Sequence, residues 1–162
     1  MNVKLFSDGA CSGNGQAENT PGGYGVVLQA FDNGVMIAER EYSQGYVKTT
    51  NNRMELRGVI AGFEKLTKPS VVEVISDSKY VVDAFNQNWI KNWQKNGWRN
   101  SQKQPVKNKD LWEALLYLIE PHTVTFTWVK GHNSHPENER CDTLAVAAYN
   151  SDNLVIDEGY EG

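Results

Sequence analysis

The sequence predicts an α/β fold, a mixed sheet with helices packed on it. Three strand-like stretches come first in close succession, separated by turn residues. A β-branched run at residues 71–76 then follows a stretch of helical spacing, and a last strand-like run at 124–129 is again bracketed by helical stretches. Five strands result, and a helix lying between two strands is the connection that makes those strands parallel.

The first strand, Val3-Lys4-Leu5-Phe6-Ser7-Asp8, alternates apolar and polar residues and runs into a glycine-containing loop. Residues 23–31 form the second strand, and Asp32-Asn33-Gly34 supplies a hairpin turn into a third at 35–46, giving an antiparallel meander. A helix opens at Asn51, with Leu56, Val59, Ile60, Phe63 and Leu66 on one face. Gly58 and Gly62 leave that helix room for a close neighbour, although each glycine costs roughly 1 kcal/mol of helix propensity against alanine. Pro69 closes the region, and Val71-Val72-Glu73-Val74-Ile75-Ser76 reads as a buried strand parallel to the first. Helices are expected over 78–85, 89–97 and 108–119, then the last strand, then a loop at Gly131-His132-Asn133-Ser134-His135. Pro136-Glu137 opens the final helix, which runs to about Tyr149. One domain is expected over residues 1–150, with residues 151–162 as a mobile acidic tail, because Asp152, Asp157, Glu158 and Glu161 have no basic neighbour in sequence.

Composition narrows the class. No apolar run of about 18 residues exists to span a membrane, and no basic-then-apolar N-terminal segment suggests a signal peptide. Two cysteines are too few for a disulfide scaffold, so a cytoplasmic setting is expected. Net charge is −4, yet residues 89–109 hold six basic side chains and no acidic one. The remainder therefore carries −10. A positive stripe within an acidic protein concentrates attraction for an anion at one place.

Four acids stand at the edges of these elements: Asp8, Glu55, Asp77 and Asp142. Each has a structural explanation when taken alone. Asp8-Gly9 suits a turn, Asn52-x-x-Glu55 resembles a capping box, Asp77 could cap the helix after it, and Asp142 could lie on a solvated helix face. Together they suggest more, because Asp8 and Asp77 leave the same end of two strands expected to be parallel, where open α/β sheets place their sites. A cluster of carboxylates suits Mg²⁺ or Mn²⁺, and a cation relieves the repulsion within it. Two such cations are a standard device for phosphodiester hydrolysis.

The residues Asp8-Gly9-Ala10-Cys11, Thr49-Thr50-Asn51-Asn52-Arg53-Met54-Glu55-Leu56, Ser76-Asp77-Ser78, Trp89-Ile90-x-x-Trp93, Pro105-Val106-Lys107-Asn108-x-Asp110-Leu111-Trp112, Lys130-Gly131-His132 and His135-Pro136-Glu137-Asn138-Glu139-Arg140-Cys141-Asp142 together resemble bacterial-type ribonuclease HI. The resemblance covers nearly the whole chain in order. It implies the ribonuclease H-like fold, a five-stranded mixed β-sheet flanked by α-helices, and endonucleolytic cleavage of the RNA strand of an RNA/DNA hybrid to 3′-hydroxyl and 5′-phosphate ends. It assigns two Mg²⁺ ions, with Mn²⁺ a substitute, to Asp8, Glu55, Asp77 and Asp142. It makes His132 an aid to proton transfer or product release, whereas a histidine beside glycine read alone is a surface residue. It places Asn14, Asn51 and Asn52 at the hybrid's minor groove and Thr50, Asn92 and Trp93 around a DNA phosphate and its sugar. The segment 89–109, with Lys91, Lys95 and Arg99, resembles the family's basic handle on the DNA strand; read alone, it is a solvated helix with tryptophan packed beneath. The expected partner is the hybrid, and the expected state is a monomer.

Three departures from the family pattern stand out: an extra stretch at Gly15-Gln16-Ala17-Glu18-Asn19-Thr20, Lys48 where arginine is frequent, and Lys79 where glutamine is usual. A zinc site built from Cys11, His132, His135 and Cys141 is disfavoured because no compact Cys/His set exists. A non-catalytic hybrid-binding module would be supported by a missing carboxylate, and none is missing. An integrase-like transferase would lack the tryptophan-bearing basic segment.

Overall fold

The computed structural model describes residues 1–13, 20–131 and 135–161. Its order is β1 (Asn2–Cys11), β2 (Thr20–Asp32), β3 (Val35–Thr49), α1 (Asn51–Glu64), β4 (Val71–Ser76), α2 (Lys79–Asn86), α3 (Trp89–Lys95), α4 (Lys109–Ile119), β5 (Thr123–Trp128), α5 (Pro136–Tyr149) and β6 (Leu154–Val155). The sheet runs β5-β4-β1-β2-β3-β6. The meander is antiparallel, as expected, with Asn33 and Gly34 both at positive φ in a two-residue hairpin loop. β4 lies parallel to β1 and β5 on either side, the outcome of helical crossovers.

Side-chain alternation divides the core. Val3 and Leu5 face one way with Val26, Leu28, Val72 and Val74, against Leu56, Val59, Ile60 and Phe63 of α1 and Leu111, Trp112 and Leu115 of α4. Phe6, Val27 and Ile75 face the other way and meet Cys141 of α5. The glycines of α1 serve close packing: a β-carbon at Gly62 would press on Leu5 Cδ1 at 2.6 Å. Both cysteines are buried and free, and among the described residues no helix is long and apolar enough to cross a membrane.

Two expectations are corrected. The sheet has six strands rather than five, because Leu154 and Val155 add a short parallel strand beside Gly45 and Tyr46. The segment expected to be a mobile tail therefore packs on the body, and its Asp157 is buried. Sequence adjacency hid the basic partners: Arg53 Nε and Arg57 Nη2, both on α1, lie 2.8 and 2.7 Å from the Asp157 carboxylate, and Thr49 Oγ1 donates to it at 2.6 Å.

Candidate active site

The site forms where β1 and β4 end side by side. Phe6 pairs with Ile75, so Asp8 and Asp77, each two residues further on, stand as neighbours at the point where β4 ends beside β1. β1 does not turn at Asp8-Gly9 but continues to Cys11, which removes the turn explanation. Glu55 arrives from α1, and oxygen atoms of Asp8, Glu55 and Asp77 all lie within 4.8 Å of one another. Gly9 permits this approach, since a β-carbon there would stand 2.6 Å from the Glu55 nitrogen and 2.7 Å from the Met54 carbonyl carbon. Its N–H donates to Glu55 Oε1 at 2.6 Å and to Asp8 Oδ1 at 3.0 Å.

The capping explanations fall as well. Thr50 caps α1, its Oγ1 accepting from the Arg53 N–H, and Ser78 caps α2, its Oγ accepting from the Val81 N–H. Glu55 and Asp77 are thus not the caps of these helices. Asp142 is brought in by α5, which crosses β2 closely at Gly25, where a β-carbon would collide with the Cys141 carbonyl oxygen. It lines a cavity of about 590 Å³ with Asp8, Glu55, Asp77, Asn51, Asn52 and Ser78.

Burial first, and then the charges of Glu55, Asp77 and Asp142, push the Asp8 carboxyl far above the ordinary carboxylate range. Burial and the Asp77 charge also raise Glu55, against the opposing pull of the Gly9 N–H. Glu55 Oε2, sealed from solvent, meets no donor within hydrogen-bond geometry among the described residues. Hard oxygen ligands that repel one another fit a divalent cation.

A family model described as RNase H matches residues 1–150. The chain belongs to the ribonuclease H family. Ribonuclease H of Lachnoclostridium phytofermentans is 52% identical over 161 residues, covering 99% of this chain and all of that one. Ribonuclease HI of a Synechocystis species is 49% identical, covering 98% and 94%. Among solved structures, the crystal structure of LC9-RNase H1, described as a type 1 RNase H with the type 2 active-site motif, superposes with a TM-score of 0.81 at 32% identity, covering 99% of this chain and 79% of that one. Hydrolysis of the RNA strand of an RNA/DNA hybrid is accordingly the activity of this chain, and the acidic cluster is compatible with the divalent-metal dependence of the ribonuclease H family.

The remaining residues singled out by sequence are distributed around this centre. Asn51 and Asn52 line the carboxylate cavity, and Asn52 also borders a second cavity of about 710 Å³ with Thr50, Lys107, Asn108 and Tyr160. Asn92 shares a shallow concavity on α3 with Lys91 and Lys95, separate from Thr50. Trp93 is half-buried and packs on Trp112, ring centroids 5.6 Å apart, while Trp89 remains exposed. Arg99 donates to the Lys103 carbonyl and shapes the basic loop. Asn14 and His132 lie outside the described residues, as does most of the inserted loop.

Sequence reasoning missed the second cavity's framework. Arg53 is buried, pairs with Asp110 Oδ2 at 2.8 Å as well as with Asp157, and donates to Asn108 Oδ1 at 3.2 Å. The apolar run Leu154-Val155-Ile156, two of its residues β-branched, inside an acidic segment was the available signal that this stretch pairs with the sheet.

Proposed function

We propose that Asp8, Glu55, Asp77 and Asp142 hold a pair of Mg²⁺ ions, with Mn²⁺ able to replace them, and that the chain cuts RNA endonucleolytically to 3′-hydroxyl and 5′-phosphate ends. The convergence of the Asp8, Glu55 and Asp77 oxygens within 4.8 Å supports this reading most directly. Bound there, divalent cations supply positive charge for the attacking and leaving oxygens of an in-line displacement. The chain's own contribution is placement. Gly9 fixes the Glu55 carboxylate, and the close crossing at Gly25 brings in Asp142.

In the same reading Asn51 and Asn52, with Asn14, meet the minor groove, where RNA displays its 2′-hydroxyls. Thr50, Asn92 and Trp93 receive a DNA phosphate and its sugar, and Lys91, Lys95 and Arg99 grip the DNA strand. His132 assists proton transfer or product release, a role suited to a group that titrates near neutrality. Residues 1–150 carry the catalytic groups and the segment after them completes the sheet, the whole acting as a monomer in the cytoplasm, a compartment in keeping with two free thiols.

The test is cleavage of labelled RNA paired to DNA, with Mg²⁺ and with EDTA, beside single-stranded RNA, duplex RNA and duplex DNA. Metal-dependent cutting confined to the hybrid's RNA is expected. Binding without cutting under any divalent cation would instead identify a hybrid-binding module. Asp8→Asn is expected to abolish turnover while hybrid affinity holds; turnover within tenfold of wild type would remove Asp8 from the metal site.

A further inference from the structure

The carboxylate oxygens that lie within 4.8 Å of one another are those of Asp8, Glu55 and Asp77, while Asp142 borders the same cavity from α5. Where Asp142 stands is therefore set by the seat of that helix. The seat is smooth. α5 lies over Gly25, Gly23 and Gly45, where added β-carbons would meet the carbonyl oxygens of Cys141, Ala145 and Ala148, and the side chains of those three buried residues are small. Such a contact packs closely but offers no large ridge to stop the helix turning. Polar pins do so instead, one on each flank. Toward β4, Asn138 Nδ2 donates to the Ile75 carbonyl at 3.3 Å. Toward β3, Arg140 Nη2 lies 3.0 Å from Glu39 Oε2 and Arg140 Nε lies 2.7 Å from Glu41 Oε2. Glu39 and Glu41 alternate along β3 and so share a face, and the buried Gln29 of β2 donates to Glu39 Oε2 at 2.8 Å. Both pairing nitrogens of Arg140 are sealed from solvent.

We propose that Arg140, bracketed by Glu39 and Glu41, is a positioning residue for Asp142: it sets the rotation of α5, and with it the distance of Asp142 from the other three carboxylates. This rests on the two-cation reading, which puts Asp142 on the metal. Successive helix residues point roughly 100° apart, so Arg140 and Asp142 leave α5 on opposite sides of Cys141, which faces Gly25 of β2. The sheet order puts β3 on the Arg140 side and β1 and β4 on the Asp142 side. Any rotation that pulls Arg140 off β3 therefore moves Asp142 as well. A turn of about 10° shifts a side chain at the helix surface by about 1 Å, and a misplacement of that size can cost about a hundredfold in rate. The bracket is partly exposed, with Arg140 38% accessible, so it adds little to overall stability. Its consequence is placement.

The experiment follows Mn²⁺ binding to the substrate-free protein by electron paramagnetic resonance, beside kcat, KM and melting temperature. It compares wild type with Arg140→Gln, Arg140→Lys and the double variant Glu39→Gln with Glu41→Gln. Arg140→Gln and the double variant open the same bracket from opposite sides, and each is expected to weaken Mn²⁺ binding and lower kcat about tenfold, the range for lost partners around a metal site. Removing a positive charge would by itself strengthen cation binding, so a weakening in Arg140→Gln reports placement and not charge. KM for the hybrid should stay within about twofold, and the melting temperature should fall by no more than about 4 °C. Arg140→Lys should lie between, since one ammonium is a single point charge facing two carboxylates. The deciding comparison is made on Asp142→Asn, where Arg140→Gln should weaken Mn²⁺ no further, because the ligand it positions is gone. An equal loss in that background, or a lower melting temperature with Mn²⁺ affinity and kcat unchanged, would overturn the proposal. Failure of the underlying reading is distinguishable: wild type would bind no Mn²⁺, or Asp142→Asn would bind it as wild type does, and the proposal would fall with it.

Discussion

Gly9 sits where β1 and α1 touch, and its missing side chain and its N–H act on the same partner, Glu55. Gly9→Ala therefore drives α1 outward and loosens the hydrogen bond that orients the carboxylate. A displacement of about 1 Å at a catalytic group can cost about a hundredfold in rate, and overpacking of this kind costs about 1–3 kcal/mol of stability. Single-turnover cleavage and urea unfolding, run side by side, check both; a variant with wild-type kcat would show that α1 tolerates the shift. That Asp8 and Asp77 are neighbours was legible in sequence, because they lie at the same end of two strands whose parallel pairing could be inferred from the intervening helix. Their structural alternatives could not be dismissed from sequence. Which of two nearby residues caps a helix, Thr50 or Asn52, Asp77 or Ser78, depends on backbone angles that composition does not fix.

The basic segment rests on an aromatic foundation. Trp93 links Trp89, Trp98 and Trp112, and leaves Lys91 and Lys95 exposed above the core. Packed at tilted angles, the tryptophans support a surface whose lysines remain in water, which is the solvated helix with tryptophan beneath that the segment read alone suggests. Replacing Lys91, Lys95 and Arg99 by glutamine is expected to weaken hybrid binding and to flatten its salt dependence by up to about 0.7–0.9 per lost phosphate contact. Binding titrations across a salt series decide it, and an unaltered slope would take the handle out of substrate binding. Helix and strand positions here followed from hydrophobic spacing, with small shifts at the ends. The left-handed backbones of Asn88 and Asn108, which precede α3 and α4, carried no sequence signal beyond asparagine's tolerance of that conformation.

Across the molecule, the final segment closes onto the first helix through charge. Burial works to raise the Asp157 carboxyl, but hydrogen bonds from Arg53 and Thr49 and the charge of Arg57 outweigh it and hold the group below its ordinary value. A carboxyl depressed in the folded state contributes stability above its unfolded pKa of about 3.9, and that contribution fades as pH falls through the lower folded value. Wild-type stability should therefore drop in the acid range below about pH 4, and Asp157→Asn should blunt that drop. Asp157→Ala, which leaves the buried Arg53 short of a partner, should cost about 3–5 kcal/mol at neutral pH, read as a lower urea midpoint at constant slope. Long-range pairing of this sort joins residues about a hundred positions apart, which is why local charge counting in sequence read the segment as loose. The same long-range logic governs the carboxylates, which come one each from β1, α1, the end of β4 and α5. No single stretch of chain carries two of them. If these carboxylates hold the metal as proposed, a molecule that has lost any one of these elements has lost its reactive centre too, so a misfolded or truncated copy becomes inert debris and not a stray nuclease.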